Sequence, residues 1–330
     1  MSTRATCRVT GNALSEVGAC LYIYIGYLRD KHGLADLHKA PNRILRKMSY
    51  IGIPVALSNY LNTILHTVEN IMVPDALTRY TLSKEASLSQ FGMLKGMALP
   101  VLFFPSSFLG ALSTLLIPEV SEYGARGQQA ALRSTIQRTM FLTIVSSVLI
   151  GAVFTVYAYE IGYLFYRDYE VGFYILALAP IIPFMYVESI IAGILNGLNQ
   201  QAASLRYNVY NSAIRIILIL SLVPHFGMNA FLAIMVVSNL FTSCLNMRQL
   251  FSVTGLGIEW GKWVVKPLLA AAPAMLCASA LKPVLLTACA YPVVALCAGC
   301  LLVCALYLAF LLLFKCITRE DLQPLRKRRS

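Results

Sequence analysis

Long apolar runs alternate along this chain with short gaps that carry the charge. Met97 to Ile117 and Thr139 to Tyr159 contain no charged residue, and Pro283 to Phe314 is longer still. A helix that crosses a bilayer needs roughly 20 mostly apolar residues. In lipid these runs must be helical, because a lone strand would leave its backbone groups unpaired. Read with Pro, Gly and charge as punctuation, the pattern predicts nine spans. They lie near 10–28, 49–73, 88–118, 134–158, 171–198, 206–223, 227–250, 262–281 and 288–314. The first is the least apolar. Pro224-His225-Phe226-Gly227 divides the sixth from the seventh as a tight helical hairpin. The expected fold class is all-α, a polytopic transmembrane bundle.

Composition agrees. Charged residues make up 13% of the 330, against about 25% in soluble domains. The net charge of +12 would suit nucleic acid only if it formed a folded basic face. Here the basic residues fall in the gaps between apolar runs, so nucleic acid is not an expected partner. Grouping alternate loops puts 20 of the 27 basic residues on one side. The Leu28–Tyr50 and Pro118–Arg138 connections and the C-terminus then face the cytoplasm. The expected location is the cell membrane, with the C-terminus inside. Arg4 and Arg8 precede a weak apolar run broken by Glu16, with no signal-peptide pattern. Nine spans would place the N-terminus outside, which predicts further helices ahead of Met1.

The polar residues inside the spans are the candidate chemistry. Asn59, Asn62, His66 and Glu69 repeat at spacings of 3, 4 and 3 and form one helical stripe. Asn208, Asn211 and Arg215 form another, Asn239 begins a third, and Glu188 lies in the fifth span. A charge at mid-membrane costs about 2.5–3.5 kcal/mol on insertion scales, so such groups face a cavity or one another. They read either as a hydrophilic path, with Arg215 and Lys95 as candidate contacts for an anionic group, or as interhelical hydrogen bonding. Glu160, near a span end, reads as a snorkelling residue. Pro100, Pro105 and Pro118 are hinge candidates in the third span. Glu69 and Arg215 are candidates for a buried pair. Counted from their span starts, however, their depths differ by roughly 16 Å, which tilt closes only in part. A direct pair therefore requires one span limit to be wrong by several residues.

Other chemistry is not signalled. Cys297, Cys300 and Cys304 share a helical face, which admits a soft-metal site but reads better as apolar packing. No nucleotide loop, catalytic triad or metal motif appears. No cofactor, metal or enzyme activity is expected.

Three stretches resemble a known family. They are "GMALPVLFFPSSFLGALSTLLIPEVSEYGARG" from Gly96, "LRKMSYIGIPVALSNYLNTILHTVENIMVPDAL" from Leu45, and "GILNGLNQQ" from Gly193. With "ALSEVGACLYIYIGYLRDK" from Ala13, they are similar to the stage V sporulation protein B group. That group lies in the polysaccharide-transporter branch of the superfamily holding multidrug exporters and lipid II flippases. The resemblance implies a division into 1–48, one helix of a first lobe and a cytoplasmic linker; 49–250, a complete six-helix second lobe; and 251–330, two extra helices and a basic tail. It implies flipping of an undecaprenyl-pyrophosphate-linked oligosaccharide, a precursor of peptidoglycan or another polysaccharide, by alternating access. Cation-coupled export of small molecules, or a scaffold without transport, are the alternatives. With one lobe present, transport is expected to need a missing N-terminal lobe or a second copy.

Overall fold

The computed structural model describes residues 3–31, 44–257, 261–288 and 291–314. Lys39, the linker around it and the basic tail beyond Phe314 lie outside them, as does the Asn59 side chain. The described residues are helical, with no strand. The chain divides into two compact units, Met1–Ile53 and Pro54–Ser330. The first contains α1 (Thr3–Lys31) and the start of α2 (Ile44–Thr81). The second contains the rest of α2, α3 (Lys84–Met93), a π turn (Leu94–Ala98), α4 (Leu99–Phe103), α5 (Ser106–Ala125) and α6 (Gln129–Tyr166). There follow α7 (Tyr169–Leu178), a 3-10 turn, α8 (Ile182–Gly197), α9 (Gln201–Thr254), a second π turn (Gly261–Val265), α10 (Lys266–Ala288) and α11 (Pro292–Leu313).

This is an all-α bundle built to lie in a membrane. By length and composition five helical stretches can cross one: Gln129–Tyr166, Tyr169–Gly197, Gln201–Thr254, Trp263–Leu285 and Pro292–Leu313. The bent pair Lys84–Phe103 and Ser106–Ala125 makes a sixth if counted as one span. The expected nine differ for two reasons. α9 holds two of them. Its 54 residues would run about 81 Å if straight, far beyond a ~30 Å hydrocarbon core. The backbone leaves the helix at Gly227 (φ 63°, ψ −144°), and the two arms fold back on each other. Ser238 Oγ donates to Asn211 Oδ1 at 2.7 Å, and Ser204 Oγ to Asn246 Oδ1 at 3.3 Å. The expected hairpin is therefore present. The other difference is that α1 and α2 are helices at the first and second positions but are not among the stretches apolar enough to count.

Close helix approach depends on small residues, since lipid supplies no hydrophobic drive between helices. Gly193 and Gly197 of α8 lie four apart on the face that meets α5. Ser113 Oγ lies against Gly193, and the Ile117 carbonyl is 2.9 Å from where a Gly197 Cβ would sit. Ser113 and Ser121 of α5 donate across this seam to the carbonyls of Ser189 (3.2 Å) and Gly197 (2.7 Å). α6 and α7 cross at Gly162 and Gly172. A Cβ on Gly172 would lie 2.7 Å from the Cα of Tyr159. Backbone cannot retreat as a flexible side chain can, so Gly172→Ala should destabilise the protein by about 1–3 kcal/mol. Detergent-denaturation midpoints check this, and an unchanged midpoint would contradict the close crossing.

Candidate functional site

Arg215 and Glu69 meet inside the bundle. Arg215 Nη2 lies 3.1 Å from Glu69 Oε2, with the two side chains 12% and 3% exposed. The depth problem disappears because α2 continues to Thr81, past its expected end at 73. Near that end the Tyr80 ring packs against Gly227, at the turn of the α9 hairpin. Glu69 is twelve residues before Thr81, and Arg215 is twelve before Gly227. Measured from this shared end, both lie at a depth of about 18 Å. The span starts were the wrong reference.

The pair is incomplete. Both Glu69 carboxylate oxygens and Arg215 Nε are buried without a hydrogen-bond partner among the described residues, so the 3.1 Å contact is an ion pair and not an aligned hydrogen bond. His66 Nδ1 is 3.8 Å from Glu69 Oε2, but its side chain is largely exposed. Lys95 lies close enough for its charge to act on both Arg215 and Glu69. It sits on the π turn between α3 and α4, half-buried, with its ammonium 5.9 Å from the centre of the Phe91 ring. Two basic side chains thus accompany one carboxylate, and Arg215 Nε remains as a buried donor without a partner. No group of ligands suited to a metal ion is found among the described residues. Cys297, Cys300 and Cys304 are free thiols.

The other expected residues divide between a second network and the margins. Asn246 accepts from Ser204 through Oδ1, which leaves its amide to donate. Ser243 Oγ donates to the Phe184 carbonyl of α8 at 3.1 Å, and Glu188, half-buried on α8, lies beside Ser243 and Asn246. Asn211 joins the two arms of α9 through Ser238, and Asn239 turns back to the Met235 carbonyl of its own helix at 2.8 Å. Asn62 and Asn208 are half-buried and join neither network. Of these asparagines, Asn211 and Asn246 make contacts between helical arms, and Asn239 bonds within its own helix.

The prolines behave differently from one another. α5 runs through Pro118 without a break. Pro100 is the second residue of α4, in the first turn after the π turn. Pro105 stands at the break, where the two halves of the third span bend by 60°. The break frees the Leu102 carbonyl and the Ser106 N–H, which a continuous helix would join. The buried Tyr186 hydroxyl takes the carbonyl, donating to Leu102 O at 2.6 Å. A side chain from α8 thus stands in for the missing backbone donor.

A second charged contact was not anticipated. Lys282 Nζ pairs with Glu160 Oε1 at 2.7 Å and donates to the Val156 carbonyl at 2.9 Å. Val156 precedes Tyr157, where α6 departs from helical geometry (φ −114°, ψ 21°). Lys282 therefore ties α10 to a kink in α6, and Glu160 is a pairing residue rather than a snorkelling one. The available signal was that both flank apolar runs on the same expected side of the membrane.

Removing either partner of the first pair leaves a buried charge alone, at a cost of about 3–5 kcal/mol. Arg215→Met and Glu69→Gln should each destabilise strongly, and the double variant should recover much of the loss. Additive damage in this cycle, followed by thermal unfolding in detergent, would reject the pair. Tyr186→Phe should cost about 1–3 kcal/mol by leaving the Leu102 carbonyl without its partner at the bend; wild-type stability would reject this role.

With the geometry established, two relatives can be set beside it. The chain is 24% identical over 228 residues to "Stage V sporulation protein B" of Bacillus subtilis (strain 168), covering 66% of this chain and 44% of that protein. It is 22% identical over 170 residues to "Sporulation protein YkvU" of the same organism, covering 51% and 38%. The matches thus span less than half the length of each relative. No family model matches the chain, and no solved structure does. The two matches support a family relationship with the stage V sporulation protein B-like proteins.

Proposed function

We propose that this chain forms one lobe of a transporter that carries a lipid-linked oligosaccharide, on an undecaprenyl-pyrophosphate carrier, across the cell membrane by alternating access. The observation that carries this reading is the buried Glu69–Arg215 contact beside Lys95. A pyrophosphate needs donors held out of water, and a guanidinium with a free Nε meets phosphate in a fixed fork. Here the headgroup would take Arg215 from its single contact with Glu69, and Lys95 would add a second charge. The C-terminus faces the cytoplasm on this reading, and the product serves a cell envelope, that of the spore on the names of the two relatives. Alternating access rocks one body against another around a site. The second body is another lobe or a second copy of this chain.

The test is reconstitution of the chain in liposomes with a labelled undecaprenyl-pyrophosphate oligosaccharide, reading both binding and exposure on the far leaflet. Binding should weaken by about tenfold or more in Lys95→Met, the loss of one charged hydrogen bond, with protein stability kept. Translocation should appear only when the second body is supplied or the chain dimerises. Binding indifferent to Lys95→Met would overturn the assignment of the phosphate site.

A further inference from the structure

At the end of the lobe marked by Gly227, a cleft of about 390 Å³ opens among Tyr80, Gln90, Glu170, Phe173, Tyr174, Phe226, Met228 and Asn229. Four helices contribute: α2, α3, α7 and α9. Tyr174 and Met228 are 4% and 7% exposed and form its floor, while Tyr80, Phe173 and Phe226 are exposed and form its walls. The volume falls in the range of ligand sites, about 300–1,000 Å³. The register that joins Glu69 to Arg215 also builds this cleft, since Tyr80 is held against Gly227.

The lining chooses among ligands. It contains no Lys, Arg or His, so it is not a phosphate site. Aromatic faces carry partial negative charge and attract polarised C–H groups. Gln90 and Asn229 each offer both donors and an acceptor, and Glu170 offers acceptors alone. A ligand that suits all of these has C–H patches on its faces and hydroxyl or amide groups around its edge. That is the chemistry of a saccharide ring. Interfacial aromatic residues that merely touch lipid headgroups ring the outside of a bundle. These converge on a concavity shared with two amides and a carboxylate.

We propose that this cleft binds a saccharide, the glycan portion of the transported substrate, at the end of the lobe away from the basic connections. The proposal rests on the transport reading for its choice of glycan, but its chemistry is independent of the phosphate site. A soluble disaccharide without lipid or phosphate, N,N′-diacetylchitobiose, therefore separates the two. With the full chain in nanodiscs, saturation-transfer NMR and calorimetry should show saturable binding. Phe173→Ala and Asn229→Ala, both at exposed positions, should each weaken it about tenfold, equivalent to about 1.4 kcal/mol. Lys95→Met, outside both the cleft and the Glu69–Arg215 contact, should leave it unchanged. Absence of saturable binding, or binding indifferent to both cleft variants, would overturn the proposal. So would displacement of the disaccharide by tetraphenylphosphonium at lower concentration, since that marks an aromatic cage for an organic cation. Disaccharide binding without translocation, with the second body supplied, would sink the transport reading alone. Translocation without disaccharide binding would sink the cleft alone.

Discussion

Inside a bilayer a charge or a backbone dipole has no water to turn to, and the arrangement of this bundle depends on that constraint. Glu69 and Arg215 are its strongest expression. Each lies on a helix otherwise rich in apolar residues, and each would be costly alone. Their contact at 3.1 Å sets α2 against the first arm of α9 in one register. That register brings the Tyr80 ring onto Gly227. The charged cluster and the aromatic cleft are thus two levels of the same alignment, roughly 18 Å apart along the helices.

The same constraint explains the side chains that support broken backbone. Two interruptions of helical geometry have a polar group from another helix beside them. Tyr186 of α8 takes the Leu102 carbonyl at the Pro105 break, and Lys282 of α10 takes the Val156 carbonyl at the Tyr157 kink. Arg133 of α6 donates to the Thr254 carbonyl at the end of α9 at 2.9 Å. These contacts also join helices far apart in sequence. The bends are held by tertiary contacts, so movement at any of them requires the supporting side chain to exchange partners.

Much of this was legible in the sequence. Uncharged runs gave the helices, and Pro224 to Gly227 gave the hairpin. Stripe spacing singled out Glu69 and Arg215 because a charge on an apolar helix demands a partner. The reach of α2 to Thr81 was not legible. Pro74, Asp75 and Arg79 resemble punctuation, yet the helix runs through them. The role of Tyr186 was hidden as well, since an apolar run with a tyrosine looks the same whether or not its hydroxyl meets a broken helix 84 residues away. The cleft draws from four helices, and no local pattern announces such convergence. Asn239 shows the reverse error: an intramembrane asparagine can satisfy itself on its own helix.

The contact between Glu69 and Arg215 can be measured directly in a bilayer. Solid-state NMR recoupling between 13C-labelled glutamate carboxyls and 15N-labelled arginine guanidinium groups reports distance. Subtracting the spectrum of the Glu69→Gln variant isolates this pair from surface contacts such as Arg126 with Glu122. The account predicts a strong dephasing component, consistent with nitrogen and oxygen at 3.1 Å, that is present in the wild type and absent in the variant. Identical dephasing in the two samples would show that the charges do not meet, and the shared register of α2 and α9 would fall with them.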